Sequence, residues 1–427
     1  MEKVKVYKKS TSPFGHGEPA EKEYVGEMDL CDAETIVENH KYDYDYTYII
    51  EKRIRNNRNE PKEKFDALVF CGRFQPFHSG HKAVIDRALE MAKEVVVVVG
   101  SSFQARSTKN PFTFEERKAM IESVYKDKVL LHDPTSYDDM YTTNRVKVVP
   151  VMDYPYDDNA WVSAVQNAVN GALSSTWSDF PKKIGLIGHS KDSSSYYLKI
   201  FPQWRNHVEV ENIDGINATD IRNKILDYKG TTTYMYSVMP KEAVKYLEQL
   251  VYADEYGTMQ NEFDELTGEY SQIKEYRKSW ASAPYEPTFV TTDAVLTQSG
   301  HILLIKRGGF PFKGCWALPG GYLAKGQFIT DNMIKELREE TCIKVPEKVL
   351  RGSIKSVQVF DHPDRDPRGR TITHGFHIDL GFPNEKLPRV KGADDAIHAE
   401  WVPLGELKRE MFAFDHFHII NRFIPTY

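Results

Sequence analysis

From Phe65 onward, short apolar stretches alternate with amphipathic ones, and that alternation leaves few folds open. Leu68, Val69, Phe70 and Cys71 read as one buried strand and residues 95–99, five valines, as a second. Between them Val84, Ile85, Ala88 and Leu89 recur at the spacing of one helix face. A later apolar run, Ile184, Gly185, Leu186 and Ile187, reads as a further strand. Buried strands separated by helices imply a parallel, doubly wound α/β sheet. Ligands of such sheets sit beyond the carboxyl ends of the strands, so the residues after Cys71, Val99 and Ile187 are where a site is expected.

At 427 residues the chain is too long for one ordinary domain. Residues 1–64 are polar and tyrosine-rich. They fit a small accessory domain or a partly ordered arm, with no role assigned. Residues 65–250 hold the α/β pattern and end in a helix predicted over 240–251, with Val244, Leu247 and Leu250 on one side. Residues 251–286 read as an acidic, aromatic connector, punctuated by Pro284. Residues 287–427 read differently. Strands over 289–296 and 302–306 flank a Gln298-Ser299-Gly300 turn, a helix is predicted over 329–341, and strand-like segments follow over 353–360 and 375–382. This mixed pattern is that of an α+β or α/β/α domain rather than a second doubly wound unit.

The net charge is −6, so no global basic field exists to collect nucleic acid. The longest aliphatic run is five residues, far short of a membrane span. Cys31, Cys71, Cys315 and Cys342 are scattered without a CxxC pair, which fits a reducing cytoplasmic setting.

After the first strand comes Gly72-Arg73-Phe74-Gln75-Pro76-Phe77-His78-Ser79-Gly80-His81, running into a helix. A helix N-terminus offers free N–H groups and a positive dipole end to phosphate. His78 and His81 can bind a polyphosphate, and Gly80 lets the backbone approach it. The segment resembles the (H/T)xGH signature of the nucleotidylyltransferase superfamily. Asn110-Pro111-Phe112-Thr113-Phe114-Glu115-Glu116-Arg117 resembles the NPFTxxER segment of archaeal-type nicotinamide-mononucleotide adenylyltransferases, and its Thr113 and Glu116 also form a capping box. Ile216-Asn217-Ala218-Thr219-Asp220-Ile221-Arg222 resembles the family's ISxTxxR motif, with Asn217 in place of Ser. Gly188-His189-Ser190-Lys191-Asp192 follows the third strand, as in bifunctional members. The resemblance implies catalytic roles for His78, His81, Arg73, Lys109 and Arg222. It implies substrate contacts at Gly72, Phe74, Gly80, Gly188, His189 and Thr219, with Trp161 either stacked on the nicotinamide ring or part of the core.

In the last domain Glu336, Glu339 and Glu340 stand at i, i+3 and i+4, which places them on one helix face. Carboxylates so close call for a cation, Mg²⁺ or Mn²⁺. With Gly321 at a fixed offset they resemble the Nudix box, Gx5Ex7REUxEExGU. Three positions depart from it: Gln327 replaces a Glu, Lys335 the Arg and Cys342 the second Gly. The Gly-to-Cys change matters if the backbone there needs positive φ. A segment at 360–370 resembles the DPxRDPRGR loop of ADP-ribose pyrophosphatases, which implies that Arg365 and Arg368 grip a ribose or phosphate. Asp394 and Asp395 are candidates for a general base.

The pairing resembles the bifunctional nicotinamide-mononucleotide adenylyltransferase/Nudix hydrolase family. That implies synthesis of NAD from ATP and nicotinamide mononucleotide, and hydrolysis of ADP-ribose to AMP and ribose 5-phosphate. Two alternatives stand beside it: a second domain that only senses ADP-ribose or NAD, or adenylyl transfer to another phosphate acceptor. The expected partners are these small molecules. Nucleic acid and membrane are not expected, and a homo-oligomer is compatible with the sequence.

Overall fold

The computed structural model describes residues 3–10, 22–29, 46–52, 65–126, 129–130, 143–174, 183–189, 197–204, 206–210, 216–227, 231–252, 258–381 and 386–425. It divides into two compact units, Met1–Lys62 and Glu63–Tyr427. In the first, β1 (Lys3–Ser10), β2 (Lys22–Asp29) and β3 (Tyr46–Lys52) form an antiparallel sheet in the order β2-β1-β3, with Val6 opposite Gly26 on one side and Ile50 on the other.

The second unit begins with β4 (Phe65–Gly72) and β5 (Ala92–Val99). A small antiparallel pair, β6 (Val129–Leu130) and β7 (Thr143–Asn144), stands apart from the sheet. Next come β8 (Val146–Pro150), β9 (Ile184–Gly188) and β10 (His207–Glu209). The sheet order is β10-β9-β4-β5-β8 and every pairing is parallel. Val95 to Val99 are all buried because both faces are covered. Leu68, Phe70, Val95 and Val97 pack under the Ser79–Met91 and Phe114–Tyr125 helices. Val69, Val96 and Val98 face Val165, Val169 and Leu173 of the Asp158–Ser174 helix. Each such side chain contributes about 1.5–3 kcal/mol by leaving water. From β4 the chain builds outward through β5 and β8, then returns to add β9 and β10 on the other side. The crevice at the carboxyl ends of β4 and β9 is therefore the switch point where a ligand is expected.

The expected connector is a helix for most of its length, Thr258–Lys278. Phe263, Leu266 and Ile273 are buried, and Phe263 packs on Phe112 with ring centroids 5.7 Å apart. These apolar positions are spaced for one helix face but sit among charged residues, which hid the period. The helix also reaches the last domain: Phe312 donates its backbone N–H to Glu269 at 2.9 Å.

That domain holds β11 (Thr288–Gln298), β12 (His301–Arg307), β13 (Trp316–Ala317), β14 (Gly320–Tyr322), β15 (Ile354–Phe360), β16 (Arg370–Asp379) and β17 (Ala396–Pro403). The main path is β13-β12-β11-β16-β15, with β14 on β11 and β17 on β12. β11 and β16 run parallel and the other pairs antiparallel. Ser299 and Gly300 both take positive φ, as a two-residue type I′ hairpin turn requires. Alternate residues of β11 face opposite layers. Ala294 and Leu296 meet Met333, Ile334 and Leu337 of the Ile329–Thr341 helix, while Val295 meets Ile419 and Ile420 of the His416–Phe423 helix. This is the expected α/β/α sandwich. Among the described residues no helix is long and apolar enough to cross a membrane.

Candidate active sites

His78 is the N-cap of the Ser79–Met91 helix and forms a capping box with His81. His81 N donates to His78 Nδ1 and His78 N donates to His81 Nδ1, both at 3.4 Å. With both Nδ1 atoms accepting, a neutral ring carries its proton on Nε2, the orientation that can donate to phosphate. The rings stack with centroids 3.6 Å apart. Burial, and then the neighbouring His78 and His189, hold His81 well below the usual histidine pKa. His189, at the end of β9, meets the Val210 carbonyl through Nδ1 at 2.6 Å. Three imidazoles thus gather at the β4/β9 crevice. Ser190, Lys191 and Asp192 lie outside the described residues.

Several residues expected to touch substrate also shape the loop. Phe74 is 1% exposed, at φ +52°, with its ring 4.7 Å from that of His81. It supports the histidine rather than presenting a surface. A Cβ on Gly72 would stand 3.0 Å from the Phe74 ring, and one on Gly80 3.0 Å from His78 Cε1. Gly80 therefore makes room for the His78 ring. At Gly188 a Cβ would run into the Tyr197 hydroxyl.

Buried Gln75, not singled out from sequence, ties the motifs together. Its Nε2 donates to Phe112 O at 2.7 Å, and Phe112 N donates to its Oε1 at 3.0 Å. Arg222 donates to the Gln75 carbonyl at 2.8 Å and to Thr219 Oγ1 at 3.0 Å. Burial, then the proximity of Arg73, pushes the Arg222 pKa down to about 10. Asn217 caps the Ala218–Leu226 helix by accepting from Thr219 N at 2.8 Å, the work expected of Ser there. Thr113 and Glu116 form the expected capping box. Arg117 donates to the Arg73, Gly100 and Ser101 carbonyls and so clamps the ends of β4 and β5. Arg73, Lys109, Trp161, Thr219 and Arg222 line one cavity of about 850 Å³, together with Asp153, which accepts from Ser101 and Gln104. That volume lies within the roughly 300–1,000 Å³ of ligand sites. The lining does not include His78 or His81.

A second cavity of about 370 Å³ lies in the last domain, lined by Glu340, Gly321, Arg368 and Asp395 among others. Glu340 accepts from Gly320 N at 2.8 Å. Burial, then Glu336 and Asp293, pushes its pKa up to about 8. A buried carboxyl crowded by like charges is a donor set that suits a divalent cation. Glu336 packs so close to Gly321 that a Cβ there would meet its Oε2 at 2.6 Å, which explains that glycine. The three glutamates share a helix but do not converge: Lys335 Nζ lies 3.2 Å from Glu336 and 2.8 Å from Glu339, and Glu339 is 46% exposed. Among the described residues no three His, Cys, Asp or Glu side chains form a metal-ready group. Gln327 is exposed. Cys342 is the helix C-cap at φ +51°, so the position does demand the left-handed backbone that glycine adopts freely.

Arg365, expected to grip a ribose or phosphate, lines both cavities and already has a partner. Its guanidinium is buried and makes two 2.9 Å bonds to Asp415. Arg368 remains at the cavity wall, paired with Asp366 at 2.8 Å and lying over the Tyr322 and Phe414 rings. Sequence reasoning missed Asp293 and His416. Asp293 accepts from Thr373 Oγ1 at 2.6 Å and lies 3.8 Å from His416 Nε2. Asp293 sits inside an apolar strand, where no motif flags it. Asp395 lines the same cavity, and Asp394 takes φ +53°.

The chain matches the cytidylyltransferase-like family model over residues 69–224 and the NUDIX domain model over residues 287–423. It is 37% identical over 195 residues to the nicotinamide/nicotinic acid mononucleotide adenylyltransferase of Acinetobacter baylyi, covering 44% of this chain and 93% of that one. It is 38% identical over 135 residues to the ADP-ribose pyrophosphatase of Methanocaldococcus jannaschii, covering 32% and 72%. A crystal structure of a bifunctional NMN adenylyltransferase/ADP ribose pyrophosphatase from Francisella tularensis, complexed with AMP and a Mn ion, superposes with a TM-score of 0.71 at 32% identity, covering 84% of this chain and 98% of that chain. Two motif sets at two cavities, each with a relative of its own and both together in one solved relative, place this chain in the family of bifunctional NMN adenylyltransferase/Nudix-type ADP-ribose pyrophosphatases.

Proposed function

We propose that the site at the β4/β9 crevice joins nicotinamide mononucleotide to ATP, giving NAD and pyrophosphate, and that the C-terminal site hydrolyses ADP-ribose to AMP and ribose 5-phosphate. The observation that carries this reading is that one chain joins the histidine loop at the end of β4, held to the Phe112 and Arg222 segments by Gln75, to a separate domain whose glutamate-bearing helix supplies Glu340 to a second cavity.

In the first reaction an oxygen of the mononucleotide 5′-phosphate attacks the α-phosphorus of ATP, and the bond to the leaving pyrophosphate breaks. The nucleophile is already an anion, so the protein aligns two substrates and neutralises developing charge. His78 and His81 donate through Nε2. Arg73, Lys109 and Arg222 supply positive charge along the cavity, and the hydroxyl of Thr219 faces the same space. Trp161 offers its ring to the nicotinamide from the first turn of its helix.

In the second reaction water adds across the pyrophosphate. Glu336 and Glu340, with Glu339 beside them, would hold a divalent metal, which when bound polarises the pyrophosphate. We assign Mg²⁺ as that metal, with Mn²⁺ as a substitute. Arg368 grips the substrate from the cavity wall, and Asp395 is the candidate base that takes the proton of the attacking water. We place both reactions in the cytoplasm, with nucleotides rather than nucleic acid as partners. The reading is supported by the unpaired state of Cys71, Cys315 and Cys342. Incubation of the whole chain with ATP, nicotinamide mononucleotide and Mg²⁺, with NAD followed by chromatography, tests the first half; absence of NAD would redirect it to another phosphate acceptor.

A further inference from the structure

The 361–370 loop belongs to the C-terminal domain by sequence, yet it walls both cavities. His362 and Asp364 line the larger one, Arg368 the smaller, and Arg365 and Asp366 both. Lys109 Nζ donates to Asp364 Oδ2 at 2.7 Å, across 255 residues of chain. The loop that carries Asp364 is fixed by its neighbour, since Arg365 is buried against Asp415. Asp415 in turn accepts from the Tyr156 hydroxyl of the first domain at 2.5 Å. Nearby, Arg409 donates to the Ser102 carbonyl at 3.3 Å. The carboxylate therefore stands on a framework that locks the two domains together at this edge.

Lys109 needs such a partner. Burial and the repulsion of Arg73 lower its pKa, while Asp364 and, more weakly, Asp153 sustain the charge. Without Asp364, Lys109 faces Arg73 with only Asp153 to balance it, and the ammonium is pushed both outward and toward neutrality. Resting on the reading of Lys109 as a charge donor in adenylyl transfer, we propose that Asp364 of the Nudix domain is a positioning residue of the adenylyltransferase site, holding Lys109 against the cavity wall. The second domain thereby completes the active site of the first.

The pair is partly exposed, 38% at Lys109 and 66% at Asp364, so it acts on rate and pH dependence rather than on stability. The test uses the full chain with Asp364→Asn, Asp364→Glu and Lys109→Ala, assaying NAD synthesis from about pH 6 to about pH 10 and ADP-ribose hydrolysis in parallel. Asp364→Asn is expected to lower kcat/KM for NAD synthesis about fivefold, the effect of a pair of this exposure. It moves the alkaline limb of the profile to lower pH, because kcat/KM follows the free enzyme and Lys109 then loses its proton sooner. Asp364→Glu restores part of both, and hydrolysis stays at the wild-type level because Asp364 does not line the smaller cavity. An unchanged rate and limb in Asp364→Asn, with Lys109→Ala impaired, overturns the inference and leaves the role of Lys109 standing. A silent Lys109→Ala overturns both while NAD synthesis itself stands. Loss of both activities in Asp364→Asn overturns it too, since the residue would then serve the fold.

Discussion

The carboxamide of Gln75 grips Phe112 by both its backbone groups, at 2.7 Å and 3.0 Å, while the main-chain carbonyl of Gln75 accepts from Arg222 at 2.8 Å. The side chain thus ties the histidine loop to the NPFT segment, and the backbone at the same residue ties the loop to the Thr219–Arg222 helix. In Gln75→Ala the N–H and carbonyl of buried Phe112 lose their partners, at a cost of about 2–4 kcal/mol. We expect a lower melting temperature and a tenfold or greater loss of NAD synthesis, an order-of-magnitude figure for misplacing groups by an ångström or so. ADP-ribose hydrolysis, assayed below the new melting temperature, should be retained. A variant with wild-type NAD synthesis would show that the histidine loop and the NPFT segment hold their places without the latch.

Cys342 adopts φ +51° at the end of the glutamate-bearing helix. The left-handed conformation costs a non-glycine residue roughly 1–2 kcal/mol, and the extra chain entropy of glycine offsets part of any relief. Cys342→Gly should therefore stabilise the domain by about 1 kcal/mol and raise its melting temperature by about 2–4 °C. Calorimetry or thermal melts read this directly; a lower melting temperature would mean that the thiol makes a compensating contribution.

His418 is buried, and its pKa is lowered to about 3, chiefly by burial and then by Arg409. Its folded pKa lies below its unfolded value of 6.5, so the folded chain keeps it neutral while the unfolded chain takes up a proton as pH falls. Stability from this source is full above about pH 6.5 and is lost between there and about pH 3. Buried His81 and His416 are shifted in the same direction. At pH 5 the loss from His418 alone is about 2 kcal/mol. Denaturant unfolding at pH 7.5 and pH 5 should show it, and His418→Gln should flatten the difference by that amount. An equal difference in the variant would assign the acid sensitivity to other groups.

β4, β5, β9, β11, β12, β15 and β16, the Ile329–Thr341 helix and the histidine-loop helix were legible in the sequence because burial imposes a period of its own, whereas β1 to β3 lie in a polar stretch that shows no such period. What escaped was set by distance or by dilution. The 258–278 helix hides Phe263, Leu266 and Ile273 among charged neighbours, so its apolar stripe has little contrast. Gln75 and Phe112 are 37 residues apart, and Lys109 and Asp364 are 255 apart. No local pattern marks either pairing. Gly80 reads from the sequence as leaving room for a ligand, and the structure shows a protein neighbour close to it, His78; Phe74 stands in the same relation to Gly72 and Glu336 to Gly321. Arg365 shows a pairing that no motif reveals. Its type fits a phosphate clamp, and only the fold reveals that Asp415 has already claimed it.

The central claim is that one chain runs two reactions at two separate sites, and reciprocal inactivation tests it most directly. NAD formation and AMP release from ADP-ribose would be measured side by side for the wild type, His81→Ala and Glu340→Gln. We predict that His81→Ala lowers NAD synthesis by at least about 100-fold with AMP release intact, and that Glu340→Gln does the reverse. Loss of both activities in either variant, in protein that melts as the wild type does, would contradict two independent sites.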